Sequence, residues 1–119
     1  MCGIAGIVER DPTRPVDPAQ LGRMVETLRH RGPDDEGQLT QPGVGLGIRR
    51  LSIIDVDGGA QPFTSEDGAI HLVANGEIYN HIALRDELTA RGHRFRSRSD
   101  VEVIVHAYEE FGLELLTRL

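Results

Sequence analysis

Met1-Cys2-Gly3-Ile4-Ala5-Gly6-Ile7-Val8-Glu9 opens the chain, and how this stretch is read decides the fold. Gly3 to Glu9 is apolar on both alternating faces, which predicts a first strand buried between layers rather than one with a wet side. Such a strand would hold Cys2, the single cysteine, rigidly at its N-terminal end. Two readings of that cysteine stay open. A lone cysteine is most often a small buried hydrophobe. Alternatively, a small side chain at the second position lets methionine aminopeptidase remove Met1, and Cys2 then carries a thiol and a free α-amine on one residue. An α-amine titrates at about 7.7 to 8.0 and a thiol at about 8.5, so the amine can take the thiol proton near neutral pH. An N-terminal amine is a recognised activator of a nucleophile.

Working outward, Asp11 to Pro18 is a turn-rich connection, and Asp17, Pro18 and Gln20 supply an N-cap, a first-position proline and a capping-box partner. Leu21, Met24, Val25 and Leu28 then fall on one helical face that ends near His30. Arg31 to Gly37 reads as a carboxylate-bearing loop broken by Gly32 and Pro33. Gln38 to Thr40 and Val44 to Ile54 read as a hairpin turning at Pro42-Gly43. Asp57 to Gly68 is a second loop, and Ile70 to Ala74 a strand running into Asn75-Gly76-Glu77. A second helix starts at Asn80 as N-cap, with Tyr79 and Leu84 at staple positions, and stops at Gly92. Arg94 to Arg98 is a polar edge segment. Ser99 and Glu102 form a capping box for a third helix with Val101, Ile104, Val105 and Tyr108 on its inner face, which stops at Gly112. Leu113 to Leu119 begins another helix. Helices and strands interleave without βαβ regularity, so the class is α+β with antiparallel pairing. No closing strand follows, so the domain reads as cut short at its C-terminus.

The 119 residues amount to one domain. Apolar content of 39% supports a core, and charge at 27% is ordinary for a globular chain. A net charge of -6 with no clustered basic stripe argues against nucleic acid as partner. There is no apolar stretch long enough to span a membrane and no secretory leader. One cysteine forms no intrachain disulfide, so a cytoplasmic location is expected. All 13 basic residues are arginine, and arginine makes bidentate contacts with carboxylates.

If Cys2 attacks a carbonyl, the oxyanion that forms needs preorganised N–H donors. The Asn75 side-chain amide and the Gly76 backbone N–H at a strand end can supply them, although Asn-Gly is also an ordinary turn. Arg50 can pair with a substrate carboxylate, although most single arginines are surface groups. Glu77 and Asp100 can hold an ammonium group, although an acid early in a helix is also favoured by the dipole. Together these residues would bind an amino acid by both charged ends while the thiol attacks its side chain, and L-glutamine is the natural candidate. The amide would become a γ-glutamyl thioester with release of ammonia, and water would hydrolyse the thioester.

Six stretches carry a resemblance: Met1-Cys2-Gly3-Ile4, Arg29-His30-Arg31-Gly32-Pro33-Asp34, Arg50-Leu51-Ser52-Ile53-Ile54-Asp55, Gly59-Ala60-Gln61-Pro62, Asn75-Gly76-Glu77-Ile78-Tyr79-Asn80 and Ser99-Asp100. In that order they resemble the N-terminal glutaminase domain of glutamine-hydrolysing asparagine synthetases, class II glutamine amidotransferases of the N-terminal nucleophile hydrolase superfamily. The resemblance covers essentially the whole chain. It implies an αββα sandwich, of which this chain would supply part of both sheets. It implies Cys2 as nucleophile, Asn75 and Gly76 as oxyanion hole, Arg50 on the glutamine α-carboxylate, and Glu77 and Asp100 on its α-amino group. Leu51, Ile53 and the backbone to Ile54 would line the same pocket. Ile48 departs from the family, where His often precedes the Arg-Leu-Ser motif. The resemblance further implies a C-terminal synthetase domain using ATP, Mg²⁺ and aspartate, fed with ammonia through a tunnel, while this portion itself holds no cofactor and no metal. A homodimer is compatible with it, and the ammonia acceptor and the activity of this portion by itself stay open. Two other classes compete: a non-catalytic fragment that keeps the pocket, and a metal protein using Cys2 with His30, His71, His81, His93 and His106. The histidines show no zinc-site spacing.

Overall fold

Asp17 sets the start of helix α1 (Pro18–Thr27): its carboxylate accepts the Ala19 N–H at 2.9 Å, and Pro18 occupies a first-turn position where no N–H is needed. The computed structural model describes residues 1–52 and 59–119. Strand β1 (Gly3–Val8) pairs antiparallel with β3 (Val44–Arg50), which pairs antiparallel with β2 (Asp35–Gln41), giving the order β1-β3-β2. β2 and β3 form the expected hairpin, with Gly43 in the turn at φ 82. One face of this sheet packs on α1. A Cβ on Gly47 would lie 2.3 Å from a Val25 methyl, and one on Gly45 would lie 2.9 Å from a Val16 methyl, so glycine is what lets the helix sit this close. Leu21 and Val25 are fully buried there, each worth about 1.5 to 3 kcal/mol.

The second set of elements is helical. A two-stranded ladder joins β4 (Phe63–Thr64) to β5 (His71–Leu72), followed by α2 (His81–Ala90), α3 (Val103–Phe111) and a 3₁₀ segment (Gly112–Thr117). Leu84 and Leu88 of α2 pack with Val103 and Ala107 of α3 and with Leu115, and Phe95 and Ile78 close over them. The fold is mixed helix and antiparallel sheet. Its contacts divide it into two compact units. The first holds Met1–Ser52, Ala60–Pro62 and Val73–Asn75, and the second holds Phe63–Leu72 and Gly76–Leu119.

Several local expectations need correction. β1 is an edge strand whose alternate residues Ile4 and Val8 are 51% and 83% exposed, because only the Gly3, Ala5 and Ile7 side faces α1. β2 begins at Asp35, three residues earlier than the apolar pattern indicates, since hydrogen bonding to β3 rather than side-chain polarity extends it. The stretch read as a loop up to Gly68 contains β4, and only His71–Leu72 of the expected Ile70 to Ala74 strand is paired. Tyr79 is 91% exposed, so no staple forms with buried Leu84. Asn80 stands at the N-cap of α2, yet its side-chain amide donates to the Arg118 carbonyl at 2.7 Å instead of capping. Glu102, not Ser99, sits at the N-cap of α3, and its carboxylate serves the preceding loop. The helix expected over Leu113 to Leu119 is a 3₁₀ segment, Gly112–Thr117. The C-terminal glycine of α2 conforms to expectation, with Gly92 at φ 103.

Candidate functional site

Strand alternation decides which side chains share a face with Cys2. Gly3 lies opposite Arg49, and a Cβ on Gly3 would touch Leu28, so Gly3 points to the helix side. Cys2 and Arg50, one residue outward on each strand, therefore belong to the other face, with Ile48 and Gly37. Cys2 is half-buried. Its Sγ accepts the Leu51 N–H at 3.4 Å and lies 3.8 Å from the Leu51 carbonyl. Arg50 is buried at the end of β3 with 6% exposure.

The loop between α1 and β2 secures this strand end. The Asp34 N–H donates to the Arg50 carbonyl at 3.1 Å, and the Asp34 carboxylate accepts the Ser52 N–H at 2.8 Å. Both neighbours of Leu51 are thus held by one residue, which leaves the Leu51 backbone facing the sulfur. Arg31 Nε donates to the Cys2 carbonyl at 3.0 Å. Arg49 Nε donates to the Gly32 carbonyl at 3.0 Å and its guanidinium pairs with Glu36 at 2.6 Å. Gly32 lies so close that a Cβ there would fall 2.3 Å from the Arg49 carbonyl carbon. The carboxylate-rich loop that looks from sequence like a solvated turn is a clamp on Cys2, Arg50 and Ser52.

Asn75 lies in the same unit as Cys2, Arg50 and Leu51, and is exposed. The residue before it, Ala74, is bound on both backbone groups by the Gln61 side chain. Gly76, Glu77 and Asp100 fall in the second unit. Gly76 and Glu77 are exposed, and a Cβ on Gly76 would meet no atom within 4 Å. Asp100 is buried at 4% exposure and accepts the Ile78 N–H at 2.6 Å, which joins it to the Glu77 segment. A carboxylate has lone pairs to spare for a further donor. Ile53 lies outside the described residues, as does Ile54. The cleft beside α1 lined by Ile4, Ala5, Met24 and Leu28 contains none of these residues.

Asp100 is approached through a loop fixed from two sides. The Arg85 guanidinium donates to the Ser97 and Ser99 carbonyls, both at 2.9 Å, while lying 4.2 Å over the Phe95 ring. Glu102 accepts the Arg96 N–H at 2.7 Å, the Ser97 N–H at 2.9 Å and the Ser97 hydroxyl. Burial alone would raise the Glu102 pKa, but these bonds and the neighbouring His106 outweigh it and hold the carboxyl at about 2. For His106, burial disfavours the imidazolium, yet Glu102 and Glu109 more than offset this and raise its pKa. The signs differ. Depressed Glu102 stabilises the fold above its ordinary value of 4.5, and that contribution fades as pH falls towards 2. Raised His106 stabilises below 6.5, and its contribution is lost as pH rises past its elevated value. We expect the acid limb of a melting-temperature profile to be shallower in Glu102→Gln than in the parent, the carboxylate contributing about 3 kcal/mol at most. Parallel acid limbs in the two proteins would contradict the assignment.

Among the described residues, Glu66, His93 and His106 each bring a ligand atom within 4.8 Å of the others. Their ring nitrogens already face carboxylates: His106 Nδ1 lies 3.1 Å from Glu109 and His93 Nε2 lies 3.1 Å from Glu110. The group is an ion-pair network, and Cys2 takes no part in it.

The sequence matches a family model described as a glutamine amidotransferase domain across residues 1–119. Asparagine synthetase [glutamine-hydrolyzing] 1 of Bacillus subtilis is 42% identical over 121 residues, covering 100% of this chain and 19% of that protein. Asparagine synthetase [glutamine-hydrolyzing] 2 of the same organism is 45% identical over 115 residues, covering 95% and 15%. Asparagine synthetase [glutamine-hydrolyzing] 3 of Arabidopsis thaliana is 41% identical over 119 residues, covering 100% and 20%. The chain thus spans about a fifth or less of the length of these relatives.

Proposed function

The chain belongs to the glutamine amidotransferase domain family, and on that premise we propose that it hydrolyses the side-chain amide of L-glutamine with Cys2 as nucleophile. With Met1 removed, the Cys2 α-amine takes the thiol proton and the sulfur attacks the amide carbon. The oxyanion is met by the Asn75 side-chain amide and the Gly76 N–H. As the intermediate collapses, the C–N bond breaks and the ammonium at Cys2 returns its proton to the departing nitrogen, leaving a γ-glutamyl thioester and ammonia. The same amine then deprotonates a water, which attacks the thioester; the sulfur leaves as thiol and glutamate is released. Arg50 takes the substrate α-carboxylate as a two-pronged donor, and Glu77 and Asp100 take its α-ammonium. The observation that supports this most is the Cys2 sulfur seated on the Leu51 N–H beside buried Arg50.

We assign the ATP- and Mg²⁺-dependent conversion of aspartate to asparagine to a synthetase domain outside the 119 residues, and no residue of this chain to those ligands. The αββα sandwich of N-terminal nucleophile hydrolases is the fold we propose for the domain as a whole, of which residues 1–119 are the N-terminal portion.

The test compares the chain as encoded with a version carrying one extra large residue between Met1 and Cys2, which blocks removal of Met1. Glutamate and ammonia released from L-glutamine are measured together. Equimolar release by the first and none by the second is the expected result; equal release by both would overturn the role of the α-amine.

A further inference from the structure

We propose that Gln61 is a positioning residue for the oxyanion hole, acting on Asn75 through the backbone of Ala74. The proposal deepens the reading above and rests on it for the role of Asn75. Gln61 Oε1 accepts the Ala74 N–H at 2.7 Å, and Gln61 Nε2 donates to the Ala74 carbonyl at 3.3 Å. One side-chain amide therefore does for Ala74 what an adjacent strand would do, binding donor and acceptor of the same residue. Residues 73–75 follow β5 without belonging to any strand. Asn75 hangs one peptide bond from that clamp.

The clamp is itself anchored to the sheet that bears Cys2. A Cβ on Gly37 would fall 1.7 Å from the Gln61 carbonyl oxygen and 3.2 Å from Pro62 Cδ, so the Gln61-Pro62 backbone rests directly on β2. Gly37 pairs with Ile48 of central β3, which is 1% exposed. A continuous path then runs from β3 through the backbone of Gly37 and Gln61, and through the Gln61 side chain to Ala74 and Asn75. Oxyanion donors act only if they are fixed where the charge develops, to within about 0.5 Å. Glutamine is the residue that suits this task. Glutamate lacks the donor for the Ala74 carbonyl, and methionine keeps the shape without either bond.

The experiment measures steady-state glutamine hydrolysis for Gln61→Met, Gln61→Glu, Asn75→Ala and the Gln61→Met/Asn75→Ala double variant, together with hydrogen exchange at the Ala74 amide. Each Gln61 variant should lower kcat by roughly 10- to 100-fold with KM changed by less than about threefold. In Gln61→Met, exchange at Ala74 should quicken by about tenfold or more while the amides of β3 keep their protection. In the Asn75→Ala background, Gln61→Met should cost little further, because the two residues act as one unit. A parental kcat in either Gln61 variant, an unchanged Ala74 exchange rate in Gln61→Met, or the same fractional loss in both backgrounds would each overturn the proposal. Should Gln61→Met fail to fold, Gln61→Glu, which keeps the acceptor for the Ala74 N–H and loses only the donor to the Ala74 carbonyl, decides the matter by the split of kcat against KM. If Asn75→Ala itself retains parental activity, the oxyanion reading falls first, and that outcome is separate from a failure confined to Gln61.

Discussion

Cys2→Ala is expected to reduce release of glutamate from glutamine by at least about 10⁴-fold, down to whatever binding and the oxyanion donors achieve without a nucleophile. The sulfur is the only thiol in the sequence, and it lies half-buried at the head of β1. On the proposed mechanism, removing the sulfur deletes covalent catalysis while leaving the sheet intact, since the Cys2 backbone is held by Arg31 and β1 begins only at Gly3. Binding of glutamine to the variant, followed by calorimetry, should persist, because Arg50 and the acidic residues are untouched. Loss of turnover with retained binding is the signature expected of a nucleophile. Undiminished turnover in Cys2→Ala would remove the thiol from the mechanism altogether.

Asn75→Ala should lower kcat by about 10² to 10³, the usual effect of deleting one side-chain donor to a tetrahedral oxyanion. KM should move little, since the ground-state amide oxygen needs that donor less than the anion does. Asn75 is exposed and outside any strand, so a stability effect within about 0.5 kcal/mol is expected and would not mimic a catalytic loss. Burst kinetics with a chromogenic glutamine analogue separates the steps: slow acylation and slow deacylation should appear together, because both pass through an oxyanion. A variant in which only one step slows would point to a different role.

What could be read from sequence and what could not divide along physical lines. Asp17-Pro18 and Pro42-Gly43 act on their immediate neighbours, and α1 and the β2–β3 hairpin formed as those local signals require. Cys2 and Arg50 stand out in sequence because a thiol and a guanidinium are chemically distinctive, and the strand register sets both on one face with the Leu51 N–H on the sulfur; their roles are those proposed above. The supporting residues were not legible. Asp34 holds Ser52 across 18 positions, Arg31 reaches Cys2 across 29, and Gln61 holds Ala74 across 13; each uses a polar side chain that in one dimension looks like surface. The one available signal was that Arg31, Asp34 and Gln61 fall inside stretches already marked by resemblance. Tyr79 and Asn80 failed for the opposite reason. Their identities suit a staple and a cap, but the Arg118 carbonyl competes for the Asn80 amide and Tyr79 points outward. Glu102 misled similarly: its spacing from Ser99 fits a capping box, while the N–H groups of Arg96 and Ser97 capture its carboxylate.

The most direct measurement is intact mass and peptide mapping of the protein quenched in acid during turnover of L-glutamine. The account predicts a γ-glutamyl adduct on Cys2 of a chain whose first residue is Cys2, absent from Cys2→Ala. An adduct at another residue, or full turnover by a chain that still begins at Met1, would contradict it.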